Sequence, residues 1–526
     1  MSGTMQTEFQ GNDAPFAWMG AIGLLPNARL ADNMNVLFEI DFYSTSGKRM
    51  TFTQLLALVQ SGGIRVCTDS RQVQPGDCFV AIRGVRADGH QFIPTARQRG
   101  ARYIVAEQPT DDGDCLLVEN SAQALGLLAQ AAWGNPNSQL TNLAVTGTNG
   151  KTTTAYLVRS VIETAGASCA MIGTIVYSAG SMTVEAPLTT PDALTLAQTA
   201  RQAIDSGARY MMVEASSHAL SQHRLAGIAF TAAAFTNLTG DHLDYHKTSE
   251  NYLTAKASLF ENLPPHGMAV LNAQSEAAKA IATRIKRRIL WYAIEQPADV
   301  IAHIHRMDDA GSEFSLQFGG VMEKVTTPLC GMHNISNHLA AAGLSLAAGF
   351  SLSSIAQGLS ALQYVPGRLE PVVSPMAERR GLRVFVDYAH TDDALANVLT
   401  TLRPICRGRL WVVFGCGGDR DKTKRPRMAR AAETLADEII VTSDNPRTED
   451  PQTIIEEICA GFSSDKRNDV IIEPDRKKAI FRAVSQAQCG DVVLIAGKGH
   501  ETYQIIGTEK HNFSDVLAAQ EALACL

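Results

Sequence analysis

A glycine-rich loop near the middle of the chain could hold phosphate groups. It consists of Gly147-Thr148-Asn149-Gly150-Lys151-Thr152-Thr153. Glycines let the backbone turn so that successive N–H groups point at phosphate oxygens, and the dipole of a following helix adds positive potential. In such a loop the lysine neutralises phosphate charge, and the next hydroxyl can ligate Mg²⁺. We therefore expect all seven residues to bind a nucleoside triphosphate, most simply ATP, with Lys151 acting in catalysis.

The loop departs from the usual pattern G-x-x-x-x-G-K-[ST] at its first glycine. Val145 stands five residues before Gly150, and Gly147 supplies a glycine three residues before it instead. The surroundings are nevertheless those that a phosphate loop requires, because an apolar run at residues 143–145 precedes it and helical spacing follows at 152–164. We predict a strand, the loop and a helix in that order.

The elements on either side of the loop predict an α/β protein of three domains. Apolar runs alternate with helical stretches, which favours parallel sheets. The predicted strands are residues 78–83, 103–106, 116–118, 143–145, 211–213, 232–235, 268–271, 384–386, 410–414, 438–441, 470–473 and 492–495. Turn-rich segments at 134–138 and 365–368 separate a small α/β domain at 41–138, a central parallel-sheet ATPase domain at 139–366 and a Rossmann-like domain at 367–526. Residues 1–40 carry no motif, and we expect a disordered extension.

Composition restricts the partners and the compartment. The net charge of −7 gives no electrostatic footprint for nucleic acid. No apolar run reaches the length that spans a bilayer, and no basic stretch precedes the apolar residues near the N-terminus as a secretion signal requires. The 10 cysteines form no C-x-x-C pair, which indicates reduced thiols. We expect a cytoplasmic monomer that binds neither nucleic acid nor membrane.

Several longer motifs resemble a known family. The phosphate loop is joined by Glu214-Ala215-Ser216-Ser217-His218, by Asn237-Leu238-Thr239-Gly240-Asp241-His242-Leu243-Asp244-Tyr245-His246 and by Asp387-Tyr388-Ala389-His390. Together they resemble the Mur ligases of peptidoglycan synthesis. Three further motifs resemble the members of that family that add the third peptide residue: Gly415-Cys416-Gly417-Gly418-Asp419-Arg420-Asp421-Lys422, Asp444-Asn445-Pro446-Arg447 and Ala496-Gly497-Lys498-Gly499-His500-Glu501. The resemblance extends from about Thr68 to the C-terminus.

The resemblance implies an ATP-dependent ligase that joins meso-diaminopimelate to UDP-N-acetylmuramoyl-L-alanyl-D-glutamate, with a role in cell shape and division. ATP would phosphorylate a substrate carboxylate to an acyl phosphate, which the amine then attacks. Three alternatives stay open at this point. They are the lysine-adding counterpart, a related ligase such as a folate polyglutamylating enzyme, and a P-loop ATPase without ligation.

The resemblance also implies roles for individual residues around the nucleotide. Mg²⁺ would be held by Thr152, by Glu214 and His242, and by Lys256 after carbamylation of its amine by CO₂. Glu214 follows a predicted strand, and open α/β sheets bind ligands at such carboxyl ends. Asn334 and Arg368 would contact ATP, and Asp387 and His390 would line the same cleft.

Two further groups would bind the other substrates. The UDP-linked substrate would contact Thr68, Ser70, Val85, Arg86, Ala87, Thr189, Thr190, Ser216, Gln222 and Arg224. Diaminopimelate would contact Arg420, Asp444, Asn445, Pro446, Arg447, Gly497 and Glu501. Arg447 offers a two-pronged partner for the far carboxylate and Glu501 a partner for the far ammonium. L-Lysine lacks that carboxylate, so the Asp-Asn-Pro-Arg motif favours diaminopimelate.

Overall fold

A computed structural model describes residues 50–84, 87–110, 115–240, 242–308 and 310–526. The expected extension at 1–40 and two of the expected substrate contacts, Val85 and Arg86, lie outside these residues. All ten cysteines lie inside them and are free thiols, as the sequence predicts. In the described part of the chain, no helix combines the length and the apolar character needed to cross a membrane.

The N-terminal region forms a small four-stranded parallel sheet flanked by helices, with strand order β1-β2-β3-β4. Its core is built from short apolar runs that are buried on both faces, as parallel strands require. Its elements are α1 (Phe52–Gln60), β1 (Val66–Cys67), β2 (Cys78–Val80), α2 (Ile93–Gln98), β3 (Tyr103–Ala106), β4 (Leu116–Leu117) and α3 (Ser121–Ala132).

The middle region is built on an eleven-stranded sheet, with strand order β15-β14-β13-β12-β11-β10-β5-β9-β6-β7-β8. Its elements are β5 (Thr141–Thr146), α4 (Lys151–Thr164), β6 (Cys169–Ile172), β7 (Val176–Ala179), β8 (Met182–Glu185), α5 (Ala193–Asp205), β9 (Tyr210–Glu214), α6 (Ser217–Ser221), β10 (Ala232–Phe235), α7 (Leu243–His246), α8 (Ser249–Glu261), β11 (Met268–Asn272), α9 (Glu276–Arg284), β12 (Arg288–Ile294), β13 (Val300–Asp308), β14 (Gly311–Phe318), β15 (Val321–Thr327), α10 (Met332–Ala347) and α11 (Leu352–Ala361).

The central strands of this sheet are parallel and the outer ones antiparallel. Helices α4, α10 and α11 cover one face, and α5, α8 and α9 cover the other. Strand β5, which leads into the phosphate loop, lies between β10 and β9. Because the carboxyl ends of neighbouring parallel strands meet at one edge, the loop and Glu214 at the end of β9 lie side by side.

The C-terminal region has a six-stranded sheet, with strand order β16-β17-β21-β18-β19-β20, in which only β16 runs antiparallel to its neighbour. Its elements are β16 (Glu370–Pro371), α12 (Pro375–Arg380), β17 (Arg383–Asp387), α13 (Asp392–Leu402), β18 (Leu410–Phe414), α14 (Lys424–Leu435), β19 (Glu438–Val441), α15 (Pro451–Cys459), α16 (Ser464–Arg467), β20 (Ile471–Ile472), α17 (Arg476–Gln486), β21 (Val492–Ala496), β22 (Tyr503–Ile506), β23 (Glu509–Asn512) and α18 (Asp515–Ala524).

The order of these strands gathers the C-terminal motifs at one edge. Strands β17, β21, β18 and β19 are consecutive neighbours in the sheet, and each ends where one motif begins. The motifs that begin at Asp387, Gly415, Asp444 and Gly497 therefore meet at the carboxyl end of this sheet. A buried ion pair supports the last of these motifs: Arg476 donates to both carboxylate oxygens of Asp515 at 2.7 Å and to the carbonyl of Ala496 at 2.9 Å.

The predicted α/β class with parallel sheets is confirmed, and each predicted strand overlaps an observed one. Three predicted strands run too far, because β2 ends at Val80, β4 ends at Leu117 and β20 covers only two residues. No strand was predicted for β1, β6, β7, β8, β12, β13, β14, β15, β16, β22 and β23. Several of these lie at sheet edges where polar residues interrupt the apolar run, as in β8, β15 and β23.

Candidate active site

Two glycines shape the phosphate loop, and any other residue at either position would displace neighbouring atoms. Gly150 begins α4 with φ at +86°, and a Cβ there would lie 2.2 Å from Oδ1 of Asn337. A Cβ at Gly147 would lie 1.8 Å from Oγ1 of Thr236. Val145, at the position of the missing first glycine, is buried in the core as part of β5. The end of β10 and helix α10 therefore contact the two glycines of the loop and leave no room for a side chain there.

Side chains of the same region hold the loop in place. The Thr236 hydroxyl donates to the carbonyl of Asn149 at 2.6 Å, and the Asn149 N–H donates to Oδ1 of Asn237 at 2.9 Å. The Lys151 ammonium donates to the loop carbonyls of Gly147 at 2.9 Å and Thr148 at 2.8 Å. These bonds keep the lysine over the loop, where it can neutralise phosphate charge.

Glu214 forms the acidic partner of the loop. Its carboxylate is fully buried and accepts a hydrogen bond from the Thr152 hydroxyl at 3.0 Å. Thr174 donates to the same carboxylate twice, from its N–H at 2.9 Å and its hydroxyl at 2.8 Å. A Cβ at Gly173 would lie 2.2 Å from Oε1 of Glu214. The carboxylate is thus fixed between the start of α4 and the turn after β6.

Lys256 is buried beside the loop, although its helical sequence pattern alone is typical of an exposed lysine. Only 1% of its surface is exposed, and its Nζ donates to the carbonyl of Gly147 at 2.8 Å. The ammonium also lies 4.4 Å from the ring centroid of Tyr252, whose hydroxyl is 3.2 Å from Oγ1 of Thr148. The amine of Lys256 and the loop are therefore linked through Tyr252.

The oxygen groups beside the phosphate loop are of a kind that binds Mg²⁺. The Thr152 hydroxyl and the Glu214 carboxylate lie together, and they are the oxygen ligands that this ion prefers, with waters and phosphate completing its shell. His242 is exposed with φ at +55°, and its ring packs 4.8 Å from that of His218. No three His, Cys, Asp or Glu side chains of the described residues are grouped to hold a metal ion. The metal roles of Glu214, His242 and Lys256 stay predictions.

A cleft of 490 Å³ lies in front of the loop, between the middle and C-terminal sheets. Its lining includes the predicted nucleotide contacts Asn334 and Arg368, and it includes Asp387 and His390. Arg368 donates from Nη2 to the Thr152 hydroxyl at 3.2 Å, while its buried Nε has no hydrogen-bond partner among the described residues. A buried donor without a partner is rare in a folded protein, and this arginine lines the cleft.

Hydrogen bonds and ring contacts hold the residues of the C-terminal wall of this cleft. Asp387 accepts hydrogen bonds from the N–H groups of Leu369 and Ala389, both at 2.7 Å, and burial raises the pKa of its carboxyl. The Arg368 guanidinium lies 4.7 Å from the centroid of the Tyr388 ring. Burial also lowers the pKa of His500 to about 3, so this imidazole beside Tyr388 is neutral at physiological pH.

The predicted contacts for the UDP-linked substrate in the middle region form one hydrogen-bonded group. The Thr190 hydroxyl donates to the carbonyl of Glu214 at 2.6 Å and lies 3.1 Å from Oγ of Ser216. Arg224 donates to the carbonyl of Thr190 at 2.7 Å and to Oε1 of Gln222 at 2.7 Å. Thr189 reaches the group through Thr174, since their hydroxyls are 3.2 Å apart. The group therefore adjoins the carboxylate of Glu214.

The N-terminal contacts belong to the small sheet and the segments around it. Thr68 and Ala87 are exposed and Ser70 is buried. Helix α3 packs directly against the segment that follows Arg224, because a Cβ at Gly126 would lie 2.4 Å from the carbonyl oxygen of Ala226. This close approach sets the small sheet beside the middle one.

The predicted amino-acid contacts meet at the edge of the C-terminal sheet. Asn445 donates from Nδ2 to Oε2 of Glu501 at 2.8 Å, and a Cβ at Gly497 would lie 2.6 Å from Oδ2 of Asp444. Lys498, which we did not single out from the sequence, is fully buried between these groups. Asp444, Asn445, Gly497 and Glu501 therefore form one acidic pocket with a lysine beneath it.

The basic side of the pocket comes from the neighbouring loop. Arg447, with φ at +53°, donates from Nη1 to the carbonyl of Gly418 at 2.8 Å. Pro446 is buried against the same glycine, where a Cβ would lie 1.9 Å from its carbonyl oxygen. Arg420 is exposed on this loop. Arginines and carboxylates thus occupy separate sides of the pocket.

A buried arginine supports the two loops from below. Arg425 is fully buried and donates to Glu449 at 3.0 Å and to Glu457. This hydrogen bond lowers the pKa of Glu449 to about 2. Glu449 also accepts from the N–H of Asp419 at 2.6 Å. The loop that bears Arg420 is therefore fastened to the segment that follows Arg447.

Several other residues were missed by the sequence reasoning: Thr174, Tyr252, Asn337 and Lys498. Each acts through contacts with a segment far away in the chain, and no local pattern marks Thr174, Tyr252 or Asn337. Lys498 alone had a usable signal, since it lies between two predicted contacts, Gly497 and Glu501.

Comparisons with known proteins agree with this geometry. Models of the Mur ligase family match in three segments: the family's catalytic domain at residues 65–133, its middle domain at 145–345 and its glutamate ligase domain at 367–499. The UDP-N-acetylmuramoyl-L-alanyl-D-glutamate--2,6-diaminopimelate ligase of Geobacillus thermodenitrificans is 44% identical over 462 residues, which cover 86% of this chain and 94% of that protein. The protein of the same name from Solibacter usitatus is 41% identical over 474 residues, 89% of this chain and 94% of that one.

A solved structure of a ligase with this name is also similar. It is 35% identical, with a TM-score of 0.64, and the match covers 88% of this chain and 94% of that one. The three-domain α/β prediction is confirmed, while the exact domain boundaries stay predictions. The chain belongs to the Mur ligase family.

Proposed function

We propose that this chain is an ATP-dependent amide-forming ligase of peptidoglycan synthesis. Its acceptor substrate is UDP-N-acetylmuramoyl-L-alanyl-D-glutamate, and the amino acid that it adds is meso-diaminopimelate. One observation carries the proposal: the same chain has a phosphate-loop cleft and a pocket of mixed charge that suits an amino acid. Relatives 41–44% identical carry the name of this ligase.

The reaction needs two steps because a carboxylate is a poor electrophile. In the first, the γ-phosphoryl group of ATP passes to a carboxylate oxygen of the UDP-linked substrate, and ADP is released. In the second, the neutral amine of diaminopimelate attacks the acyl carbon, the amide bond forms and inorganic phosphate leaves. The first step requires little from the protein beyond positioning and positive charge.

The residues of the cleft suit these tasks. The phosphate loop directs its N–H groups at the phosphates, Lys151 neutralises their charge, and Arg368 lies within reach of the transferred group. Thr190, Ser216, Gln222 and Arg224 adjoin this point and orient the UDP-linked substrate. The amino-acid pocket and Asp387, which lines the cleft, lie at the carboxyl end of the same sheet, so the amine can approach the acyl phosphate.

Mg²⁺ is part of the proposal. Thr152 would hold one ion, and Glu214, His242 and a carbamylated Lys256 would hold a second. When bound, the ion supplies positive charge to the phosphate oxygens. The pairing of a hydroxyl with a buried carboxylate at the phosphate loop supports this assignment.

The mixed charge of the pocket favours diaminopimelate over lysine. Lysine would leave Arg447 without an anionic partner, and an unpaired buried polar group is penalised. A P-loop ATPase without ligation would have no use for this pocket. We also propose that the chain acts as a cytoplasmic monomer; free thiols in every cysteine support a reducing compartment.

A phosphate-release assay tests the proposed function. The purified chain receives ATP, Mg²⁺ and the UDP-linked dipeptide, together with meso-diaminopimelate, L-lysine or neither. We expect release that depends on the dipeptide and on diaminopimelate, with a product larger by one diaminopimelate residue in mass spectrometry. Faster release with lysine would establish the lysine-adding alternative, and release without either substrate would establish an ATPase.

A further inference from the structure

Lys498 is a fully buried lysine beneath the amino-acid pocket. Its ammonium donates to Oδ1 of Asn445 at 3.0 Å and to Oε2 of Glu501 at 2.9 Å, and it lies 3.8 Å from Oδ1 of Asp444. Taking an ammonium out of water is costly unless close partners compensate it. All three of its partners are predicted contacts of the amino acid, so the groups that compensate the buried charge are those of the binding pocket.

The ammonium fixes the orientation of the Asn445 amide. Oδ1 of Asn445 accepts from Lys498 and from the N–H of Ile505 at 2.9 Å. The Nδ2 group must then face Glu501, to which it donates at 2.8 Å. Rotating the amide by half a turn would replace both donor–acceptor contacts at Oδ1 with donor–donor contacts.

The same contacts select one oxygen of Glu501. Lys498 and Asn445 both donate to Oε2, and Oε1 accepts no hydrogen bond from the described residues. The side chain is partly exposed, at 16%. A carboxylate held in this way keeps one oxygen ready for an ammonium group of a ligand.

Lys498 also sets the charge of the pocket. Asp444 and Glu501 bring two negative charges, and the buried ammonium compensates one of them. The remaining single negative charge matches one ammonium. The far end of diaminopimelate carries one ammonium, together with a carboxylate for which Arg447 is available.

We propose that Lys498 is a positioning and specificity residue for the distal ammonium of the added amino acid. It acts through Glu501 and Asn445, which it holds in the geometry that receives that ammonium. The inference rests on the proposed function, because it assumes that the pocket takes an amino acid with a second amine.

The test compares meso-diaminopimelate with 2-aminopimelate, which keeps both carboxylates and lacks the distal amine. Lys498→Met keeps the length of the side chain and removes the charge. We expect it to raise KM for diaminopimelate about 30-fold, as loss of one partner of a buried charge pair does, with kcat and the KM for ATP within about 3-fold. The preference for diaminopimelate over 2-aminopimelate should fall by about 10-fold or more. Lys498→Arg should restore part of it, and the exposed Lys478→Met is the matched control.

A structural role alone predicts a different result. Loss of folded protein lowers activity with both amino acids equally, so an unchanged preference in Lys498→Met would overturn the inference. If that variant does not fold, Glu501→Gln and the double variant Lys498→Arg/Glu501→Gln decide instead. Adding Lys498→Arg to Glu501→Gln should change kcat/KM for diaminopimelate by less than about 3-fold, because the two act as a unit. A full additional loss in the double variant would contradict the inference. Absence of diaminopimelate-dependent release in the unchanged chain would instead refute the proposed function.

Discussion

The hydroxyl of Thr152 donates to Oε2 of Glu214 across 3.0 Å, which joins the first turn of α4 to the end of β9. Arg368, which follows α11 in the chain, reaches the same hydroxyl at 3.2 Å. One threonine of the phosphate loop therefore contacts an anion from the neighbouring strand and a cation from the other side of the cleft. Both contacts lie where the transferred phosphoryl group is expected.

Glu214→Gln should abolish most of the activity while preserving the fold. The amide keeps the size of the side chain and an acceptor for Thr174, but it removes the negative charge beside Thr152. We expect kcat for phosphate release to fall about 100-fold or more and the Mg²⁺ concentration for half-maximal activity to rise. Steady-state kinetics across a Mg²⁺ titration would measure both. The control is Glu185→Gln at the exposed end of β8, which should behave like the unchanged chain. Normal activity of Glu214→Gln at low Mg²⁺ would exclude the carboxylate from metal binding.

Gly150→Ala should weaken ATP binding because the added methyl group has no room. Its Cβ would lie 2.2 Å from Oδ1 of Asn337, and φ at +86° is unfavourable for alanine. We expect the Kd for ATP, measured by calorimetry, to rise about 10-fold or more, since the backbone of the loop must shift.

Gly349→Ala provides the matched control for Gly150→Ala. Gly349 has φ at +91°, and a Cβ there meets nothing within 4 Å. Both variants carry the backbone strain of about 1 kcal/mol, so both should lose some thermal stability. Only Gly150→Ala should lose ATP affinity, and equal Kd values would show that the loop tolerates the methyl group.

The strand, loop and helix around residues 147–153 could be predicted because each is a local property. Strand β5 contains the apolar run at residues 143–145, Gly150 permits a left-handed turn, and α4 has regular apolar spacing. It could also be inferred that the motifs meet at the edges of the sheets, since each motif follows a strand in the chain. The site residues at strand ends, such as Glu214 and Asp444, were therefore accessible to sequence reasoning.

The remaining contacts join segments that no local pattern connects. Lys256 lies in a helix whose pattern is typical of an exposed lysine. It is buried because the carbonyl of Gly147, 109 residues earlier, accepts a hydrogen bond from its ammonium. Lys498 is buried because Asn445, 53 residues earlier, faces it at the carboxyl end of the sheet, where β18 lies between their two strands. Such burial depends on which strands become neighbours, and strand order is not contained in the periodicity of either segment.

Arg447→Ala should impair the use of diaminopimelate and spare ATP. The side chain is the cation that we propose for the far carboxylate, and its bond to the carbonyl of Gly418 holds its position. We expect KM for diaminopimelate to rise about 100-fold, with the KM for ATP unchanged. Arg447→Lys should recover only part of the loss, because an ammonium cannot form two parallel hydrogen bonds. The exposed Arg482→Ala serves as the control, and an unchanged KM for diaminopimelate in Arg447→Ala would refute the specificity argument.

His338 should make the middle region less stable in acid. Its imidazole is fully buried beside Phe314, and Nδ1–H donates to the carbonyl of Asn334 at 2.7 Å. Burial lowers the pKa of His338 to about 4, below its value of about 6.5 in an unfolded chain. Between these values the unfolded state binds a proton that the folded state does not, so stability is lost as the pH falls from about 6.5 towards 4.

The size of this acid effect follows from linkage. One histidine contributes about 1.4 kcal/mol per pH unit, or roughly 2 kcal/mol between pH 6.5 and 5. His338→Gln keeps an N–H donor for Asn334 and does not titrate, so its unfolding free energy should change less over this interval. Differential scanning calorimetry at pH 7 and 5 measures the difference, with His511→Gln on the exposed β23 as the control. Because protonation must open the core at α10, an equal acid response in His338→Gln and the unchanged chain would place the acid-sensitive group elsewhere.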